Sequence, residues 1–242
     1  MIFSYWTAGV PDTGNAMPKK AVVEWKRHSP EFTVFSDAEV LPLLKTWDGE
    51  GMFEDIRIPA CRSDIARLVL LYEYGGLYVD AHCAPGALDR LALLFERLSK
   101  YELVVFDESV DSPEYRFTCM INGVLCARAK ANVLDTLIRR AFSNLRRHRA
   151  RELSSGGRHV SYSIYKLTGP WMIWHELFRR ATIGGELKPR YRDCVAIWPY
   201  DRSPAKRPVR TDQHGGYRHI AHWSEREKTE PLFLATHRGA NP

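Results

Sequence analysis

Apolar positions in the first half of the chain follow two alternating patterns, which predict strands followed by helices. Ile2-Phe3-Ser4-Tyr5 is a short apolar and aromatic run of the kind a buried strand presents. Asn15 to Arg27 then carries Ala16, Met17, Ala21, Val22 and Trp25 at helical spacing. Glu31 to Phe35 alternates as a second strand, and Ser36-Asp37 supplies a cap for a helix running to Leu44. This β-α-β-α rhythm predicts a largely parallel sheet. Further on, Ser63 to Tyr74 reads as a helix capped by Ser63 and closed by Gly75 in a left-handed conformation. Gly76 to Asp80 reads as a strand and Ala81 to Gly86 as the loop leaving its C-terminal end, the place where ligands bind in open α/β sheets.

Beyond that loop, Ala87 to Leu98 has helical spacing, Leu103 to Phe106 and Val124 to Cys126 are strand-like, and Lys130 to Arg149 reads as a long basic helix. Arg151 to Arg158, with Ser154, Ser155, Gly156 and Gly157, is the best candidate for a mobile loop, and no internal repeat is present. From Pro189 onward, dense Pro, Arg and Gly obscure the periodicity, apart from a strand at Val195 to Trp198.

With 242 residues, 45% of them hydrophobic, the chain is long enough to bury the core of one large α/β domain, taken as residues 1–242. Its formal net charge of +6 favours anionic partners, but nucleotides, phospholipids and nucleic acids satisfy charge equally well. Five cysteines (Cys61, Cys83, Cys119, Cys126, Cys194) form no CxxC pair, which argues against a disulfide framework or zinc site and for a reducing, cytoplasmic setting. The opening Met1 to Trp6 lacks a basic segment followed by a long apolar one, and no run of about 18 apolar residues occurs, so any membrane contact is expected to be peripheral, at the inner face.

Two pairs of residues suggest chemistry. Asp80 and His82 stand two positions apart at a strand end, where both side chains can project to one side and chelate a divalent cation. Mn²⁺ or Mg²⁺ held there would bridge the phosphates of a diphosphate substrate and stabilise charge on the departing group. The plain alternative is a strand-end carboxylate beside a surface histidine. Asp64 and Arg67 are i and i+3 on a helix and share a face: either a structural ion pair, or Arg67 on donor phosphate or sugar oxygens with Asp64 accepting from sugar hydroxyls.

The string Arg62-Ser63-Asp64-x-x-Arg67-x-x-x-Leu71-x-x-x-Gly75-Gly76-x-Tyr78-x-Asp80 resembles the donor-site signature of family 32 glycosyltransferases, which include capsular polysaccharide and mannosyl transferases. It also resembles the glucosylating domain of the large clostridial toxins. The resemblance implies that Asp64, Arg67, Tyr78, Asp80 and His82 line a nucleotide-sugar site, with Asp64, Arg67 and Asp80 as its catalytic group. It implies that Trp6 stacks on the base and that Asn122, in Ile121-Asn122-Gly123, lies on the donor side. Thr168-Gly169-Pro170 resembles a family turn that opens a helix, and Ala221-His222-Trp223-Ser224 a degraded form of the closing segment.

The fold so implied is GT-A, a Rossmann-like, mostly parallel sheet flanked by helices. Its donor core would be about residues 1–130, and the acceptor side and closing segment about 131–242. One position departs from the pattern: His82 replaces the second Asp of the usual Asp-x-Asp. The polypeptide N-acetylgalactosaminyl transferases of the same fold use Asp-x-His with a further C-terminal His, which implies a Mn²⁺ (or Mg²⁺) site of Asp80, His82 and His222. The implied activity is retaining transfer from a nucleotide-sugar, with a leaning to UDP, to a polysaccharide, glycolipid or lipid-diphosphate acceptor. A protein acceptor, as for the toxins, and a catalytically silent nucleotide-sugar binder are the alternatives. A nucleic-acid-binding protein would account for the charge but not for the ordered string from Asp64 to His82, so nucleic acid is not expected as a partner. Arg139, Arg140, Arg146, Arg147 and Arg149 either meet an anionic membrane or form a solvated helix face.

Overall fold

The structure is a computed structural model and describes residues 1–7, 17–108, 120–180, 186–201, 203, 206–211 and 222–234. Asn15, Ala16, Cys119 and Ala221, which figure in the sequence reading, lie outside the described residues. The chain opens with β1 (Ile2–Tyr5), α1 (Lys19–His28) and β2 (Thr33–Phe35). α2 (Asp37–Val40) follows, with Ser36 and Glu39 forming a reciprocal capping box. Pro42 then tightens the chain into a 3-10 turn over Leu41–Thr46, so the helix expected to reach Leu44 is split in two.

α3 (Met52–Asp55) leads to α4 (Pro59–Tyr74) and β3 (Gly76–Val79). α4 starts four residues before the expected Ser63 cap, because Pro59 occupies its first turn and Ile58 before it is extended. Gly75 ends the helix with φ 63° but an extended ψ of −175°, a combination open to glycine rather than the left-handed helical one expected. Gly76 is also at positive φ, and a Cβ there would lie 2.2 Å from the Met1 carbonyl oxygen, so glycine is what lets β3 lie against β1.

β4 (Ala84–Pro85), α5 (Leu88–Arg97), β5 (Leu103–Asp107) and β6 (Met120–Ala127) continue the chain. α6 (Asn132–Ser154) is longer than expected and absorbs the start of the segment anticipated as a loop. After α7 (Ile164–Leu167) and α8 (Pro170–Leu177) come the hairpin strands β7 (Phe178–Arg180) and β8 (Glu186–Leu187), then β9 (Val195–Pro199), β10 (Val209–Arg210) and α9 (Trp223–Arg226).

The central sheet has the order β2-β1-β3-β6-β5-β9. β2, β1 and β3 are parallel neighbours, as are β5 and β9, while β6 runs antiparallel to both strands it separates. The sheet is therefore mixed α/β and mostly parallel, as expected. Alternate residues feed two apolar layers: Phe3, Tyr78, Val105 and Leu125 face α4, α6 and α8, while Ile2, Leu77, Val79, Val104 and Val124 face α1 and α5. Between its pairings Val104 with Cys126 and Phe106 with Ile121, β6 bulges away from β5. That bulge contains Asn122 and Gly123.

The arginines of α6 are largely engaged within the protein. Arg139 pairs with Asp135 at 2.7 Å, Arg147 donates to Asn144, and Arg149 reaches across to the buried Asp55 at 2.8 Å. Among the described residues, no helix is long and apolar enough to cross a membrane.

Candidate active site

α4 and β3 are joined by the turn Gly75-Gly76, so the N-terminal half of the helix returns toward the C-terminal end of the strand. Asp64, Arg67 and Asp80 are gathered there. The Arg67 guanidinium lies 3.3 Å from Asp64 Oδ1 and 3.2 Å from Asp80 Oδ1. Its Nε donates to the Ser63 carbonyl and its Nη1 to the Asn122 carbonyl in the β6 bulge. Arg67 is buried, its plane over the Tyr78 ring, so one cation holds two carboxylates at fixed separation.

Asp64 is tied from two distant elements. Asn122 Nδ2 donates to Oδ1 at 2.7 Å, and Thr168 Oγ1, just before α8, donates to Oδ2 at 2.9 Å. Burial pushes this carboxyl up to about 6 from its ordinary 3.8, against the pull of Arg67 in the other direction. Asp80 differs in being open to solvent, its side chain 24% exposed. Oδ1 accepts from the Tyr78 hydroxyl at 2.8 Å, whereas Oδ2 has no hydrogen-bond donor among the described residues. A Cβ on Gly123 would come within 2.7 Å of Oδ2, so glycine in the bulge keeps the space beside that oxygen clear. Tyr78 is wholly buried, and burial together with Asp80 raises its hydroxyl well above the ordinary range, keeping it a donor.

After Asp80 the chain makes a tight turn, Cys83 N–H donating to the Asp80 carbonyl at 2.8 Å, and Trp25 Nε1 pins the Cys83 carbonyl from α1. His82 is half-buried in this turn. Its position relative to Asp80 is thus set by the turn rather than by strand alternation, on which the expectation of a shared side rested. Among the described residues, no group of three or more His, Cys, Asp and Glu side chains converges to hold a metal. Asp80, His82 and His222 therefore do not form a ready trio. His222 instead caps α9, its Nδ1 2.8 Å from Ser224 Oγ and accepting from Ser224 N–H.

Trp6 follows β1 and is half-buried, its backbone N–H donating to the Phe35 carbonyl at 2.9 Å. The residues on either side of it are fixed by one carboxylate: Tyr5 and Thr7 both donate to Asp37. Arg62 completes that cluster at 2.9 Å, with its other nitrogens on the carbonyls of Ile56 and Glu54. Sequence reasoning placed Arg62 in the donor signature; the structure uses it to tie α4 to α3 and to the β1 and β2 ends. The side-chain roles of Asp37 and Thr168 were missed. The only hint for Thr168 was its place in Thr168-Gly169-Pro170, which does open α8, with Pro170 in the first turn.

The family model "Glycosyltransferase sugar-binding region containing DXD motif" matches residues 4–85. That span holds Trp6, Asp64, Arg67, Tyr78, Asp80 and His82. Over those residues the chain is similar to a glycosyltransferase sugar-binding region. Asn122 and Thr168, which hold Asp64 in place, lie outside the matched span and reach it from β6 and from the turn before α8.

Among solved structures, the chain is similar to the PaToxG glycosyltransferase (TM-score 0.47, 16% identity, covering 71% of this chain and 66% of that one). It is also similar to the ligand-free glycosyltransferase domain of the YGT toxin (TM-score 0.35, 15% identity, 50% of this chain and 37% of that one). A third is a glycosyltransferase involved in the glycosylation of the major capsid of PBCV-1 (TM-score 0.36, 10% identity, 82% of this chain and 81% of that one). The chain spans less than two thirds of the length of the first two. No curated protein matches it at comparable stringency.

Proposed function

We propose that the chain transfers a glycosyl group, with retention of configuration and in a GT-A arrangement, from a nucleotide-sugar donor to a saccharide or lipid-linked saccharide acceptor. UDP is the proposed nucleotide. The observation that carries this reading is the arrangement at the end of β3: Asp64 and Asp80 held by the buried Arg67, with the Asp80 side chain partly exposed. In this reading Trp6 stacks on the base, Asn122 and Thr168 orient Asp64, and Asp64 accepts hydrogen bonds from sugar hydroxyls.

The donor set of Asp80 and His82 fits a divalent cation that takes the rest of its shell from diphosphate oxygens and water, as Mg²⁺ and Mn²⁺ do. One carboxylate oxygen is available, and the space beside it is kept clear at Gly123. When bound, such a cation supplies positive charge to the departing nucleoside diphosphate. Arg67 keeps Asp80 Oδ1 oriented, and the Tyr78 hydroxyl fixes the carboxylate plane.

The test is hydrolysis of a panel of UDP- and GDP-sugars in water, with and without Mn²⁺, by the native chain and by Asp80→Ala. Metal-dependent release of one sugar, reduced about 10²–10³-fold in Asp80→Ala, is expected. Calorimetric donor binding without turnover would instead favour a silent nucleotide-sugar binder, the reading to which the Asp80-x-His82 departure lends support. Absence of both binding and release would overturn the glycosyltransferase reading.

A further inference from the structure

Ser63 has the chemistry of a helix cap, yet α4 begins at Pro59 and leaves it in the second turn, where serine is a poorer helix former than alanine. Inside a helix a serine hydroxyl ordinarily meets water or the carbonyl one turn back. The Ser63 hydroxyl instead turns to β3 and to the next turn of α4: Oγ lies 3.2 Å from the Tyr78 hydroxyl and accepts from Arg67 Nη2 at 3.2 Å. Neither capping nor helix propensity accounts for a serine placed this way.

The protons of this cluster have one consistent order. A guanidinium only donates and an ionised carboxylate only accepts. Tyr78 gives its one hydroxyl proton to Asp80 Oδ1 at 2.8 Å, so the contact between the Ser63 and Tyr78 oxygens is filled by the Ser63 proton. Arg67 Nη2 also lies 3.2 Å from Asp80 Oδ1 and closes a ring: Arg67 donates to Ser63, Ser63 to Tyr78, Tyr78 to Asp80, and Arg67 again to Asp80. In such a ring each bond polarises the next. Tyr78 and Arg67 are buried, so no water stands ready to replace a lost partner. The ring divides the two oxygens of Asp80: Oδ1 is held by two donors, while Oδ2 accepts from none among the described residues.

We propose that Ser63 is a positioning residue for Asp80: acting through Tyr78, its hydroxyl holds the carboxylate by Oδ1 and so keeps Oδ2 for the divalent cation that accompanies the donor. Without that hydroxyl, Tyr78 still has Asp80 to donate to, but its own oxygen and one Arg67 N–H lose their partner, and the carboxylate they orient is held less firmly. Ser63 needs no contact with cation or donor to act in this way. The inference rests on the glycosyl-transfer reading and extends it to the helix residue behind the carboxylate.

The test compares the full native chain with Ser63→Ala, Ser63→Thr and Ser63→Val, and with Tyr78→Phe alone and combined with Ser63→Ala. Mn²⁺ binding in the presence of UDP is read from the electron paramagnetic resonance signal of free Mn²⁺, and hydrolysis of the active donor is measured at saturating Mn²⁺. Ser63→Ala is expected to weaken Mn²⁺ binding and to slow hydrolysis about tenfold each, the scale of one buried hydrogen bond. Threonine keeps the hydroxyl and valine has its shape without it, so Ser63→Thr should stay within about threefold of the native chain while Ser63→Val behaves as Ser63→Ala. On the Tyr78→Phe background, Ser63→Ala should add less than about twofold, because its path to Asp80 is already cut. Native Mn²⁺ affinity in Ser63→Ala, equal impairment of the threonine and valine variants, or a full added loss on the Tyr78→Phe background would each overturn the role of Ser63. A native chain that binds Mn²⁺ and UDP but hydrolyses no donor decides the matter by the affinity comparison alone. A native chain that neither binds nor hydrolyses would remove the glycosyl-transfer reading, and the role of Ser63 with it.

Discussion

Asp64 and Glu152 are carboxylates buried to similar depth, 5% and 3% exposed, yet they are satisfied in different ways. Asp64 is held by side chains from separate elements: Asn122 of β6, Thr168 before α8 and Arg67 of its own helix. Glu152, on α6, accepts from the backbone N–H groups of Leu232 and Phe233 and from His148 Nε2. Around it the chain near its last described residues is stitched down further, with Leu234 N–H on the Asp55 carbonyl and Arg57 N–H on the Leu232 carbonyl. Backbone donors cannot turn away from a carboxylate without moving the chain, whereas side-chain donors can be exchanged for those of a ligand. A buried charge of the first kind organises the fold; one of the second kind, in the proposed reading, can exchange its partners for those of a donor.

Substitutions should separate the two regions. Asp80→Ala is expected to have the largest effect on turnover, about 10²–10³-fold, with a smaller fall in thermal midpoint than Glu152→Ala because its side chain is partly solvated; an equal or larger fall would place Asp80 with Glu152 instead. Glu152→Ala should do the reverse. Leaving two buried backbone donors and His148 unpaired should cost about 3 kcal/mol, read by urea unfolding, with donor affinity of the folded protein intact. Gly123→Ala should cost roughly tenfold in turnover and little stability, since a Cβ there displaces the Asp80 carboxylate rather than backbone; comparing its donor hydrolysis and melting curve with those of the native chain checks this.

The smallest expected effect is in pH dependence. With Asp64 pushed up to about 6 by burial, the folded chain binds a proton there more tightly than the unfolded chain does. That contribution to stability declines as pH rises from about 4 to about 6 and is level above. In the folded chain the carboxylate form needed to accept from sugar hydroxyls appears around pH 6, so donor affinity should rise through pH 6. Calorimetric titration with the donor at several pH values should show this rise in the native chain and not in Asp64→Asn.

What was legible in the sequence follows the range of the interactions involved. The string from Arg62 to Asp80 is local: one helix, a two-glycine turn and one strand fix its geometry, and the resemblance carried by that string implied Asp64, Arg67 and Asp80 together. β6 was seen only at Val124 to Cys126, because Asn122 and Gly123 interrupt its apolar run, and an apolar run does not reveal strand direction. The start of α4 was misplaced because Ser63 has the chemistry of a cap; its hydroxyl in fact faces Tyr78 and Arg67. The segment around Leu232 was unreadable because backbone hydrogen bonds to Glu152 hold it, and these leave no periodicity in the sequence. The contact between His222 and the adjacent Ser224 shows the same limit: a residue type names what a side chain can do and not which partner it takes.

The hydrogen bond from Thr168 to Asp64 closes a loop of 104 residues, and this bears on when the protein acquires its site during synthesis. A nascent chain that has emerged through residue 85 already contains the whole signature string but lacks Asn122, Thr168 and the strands that complete the sheet around β6. Until α8 emerges, the signature is present without an assembled site, and its apolar sheet edge is exposed to other chains. Ribosome-bound fragments should therefore gain protease resistance and donor binding together, late, and not when the signature itself has been translated.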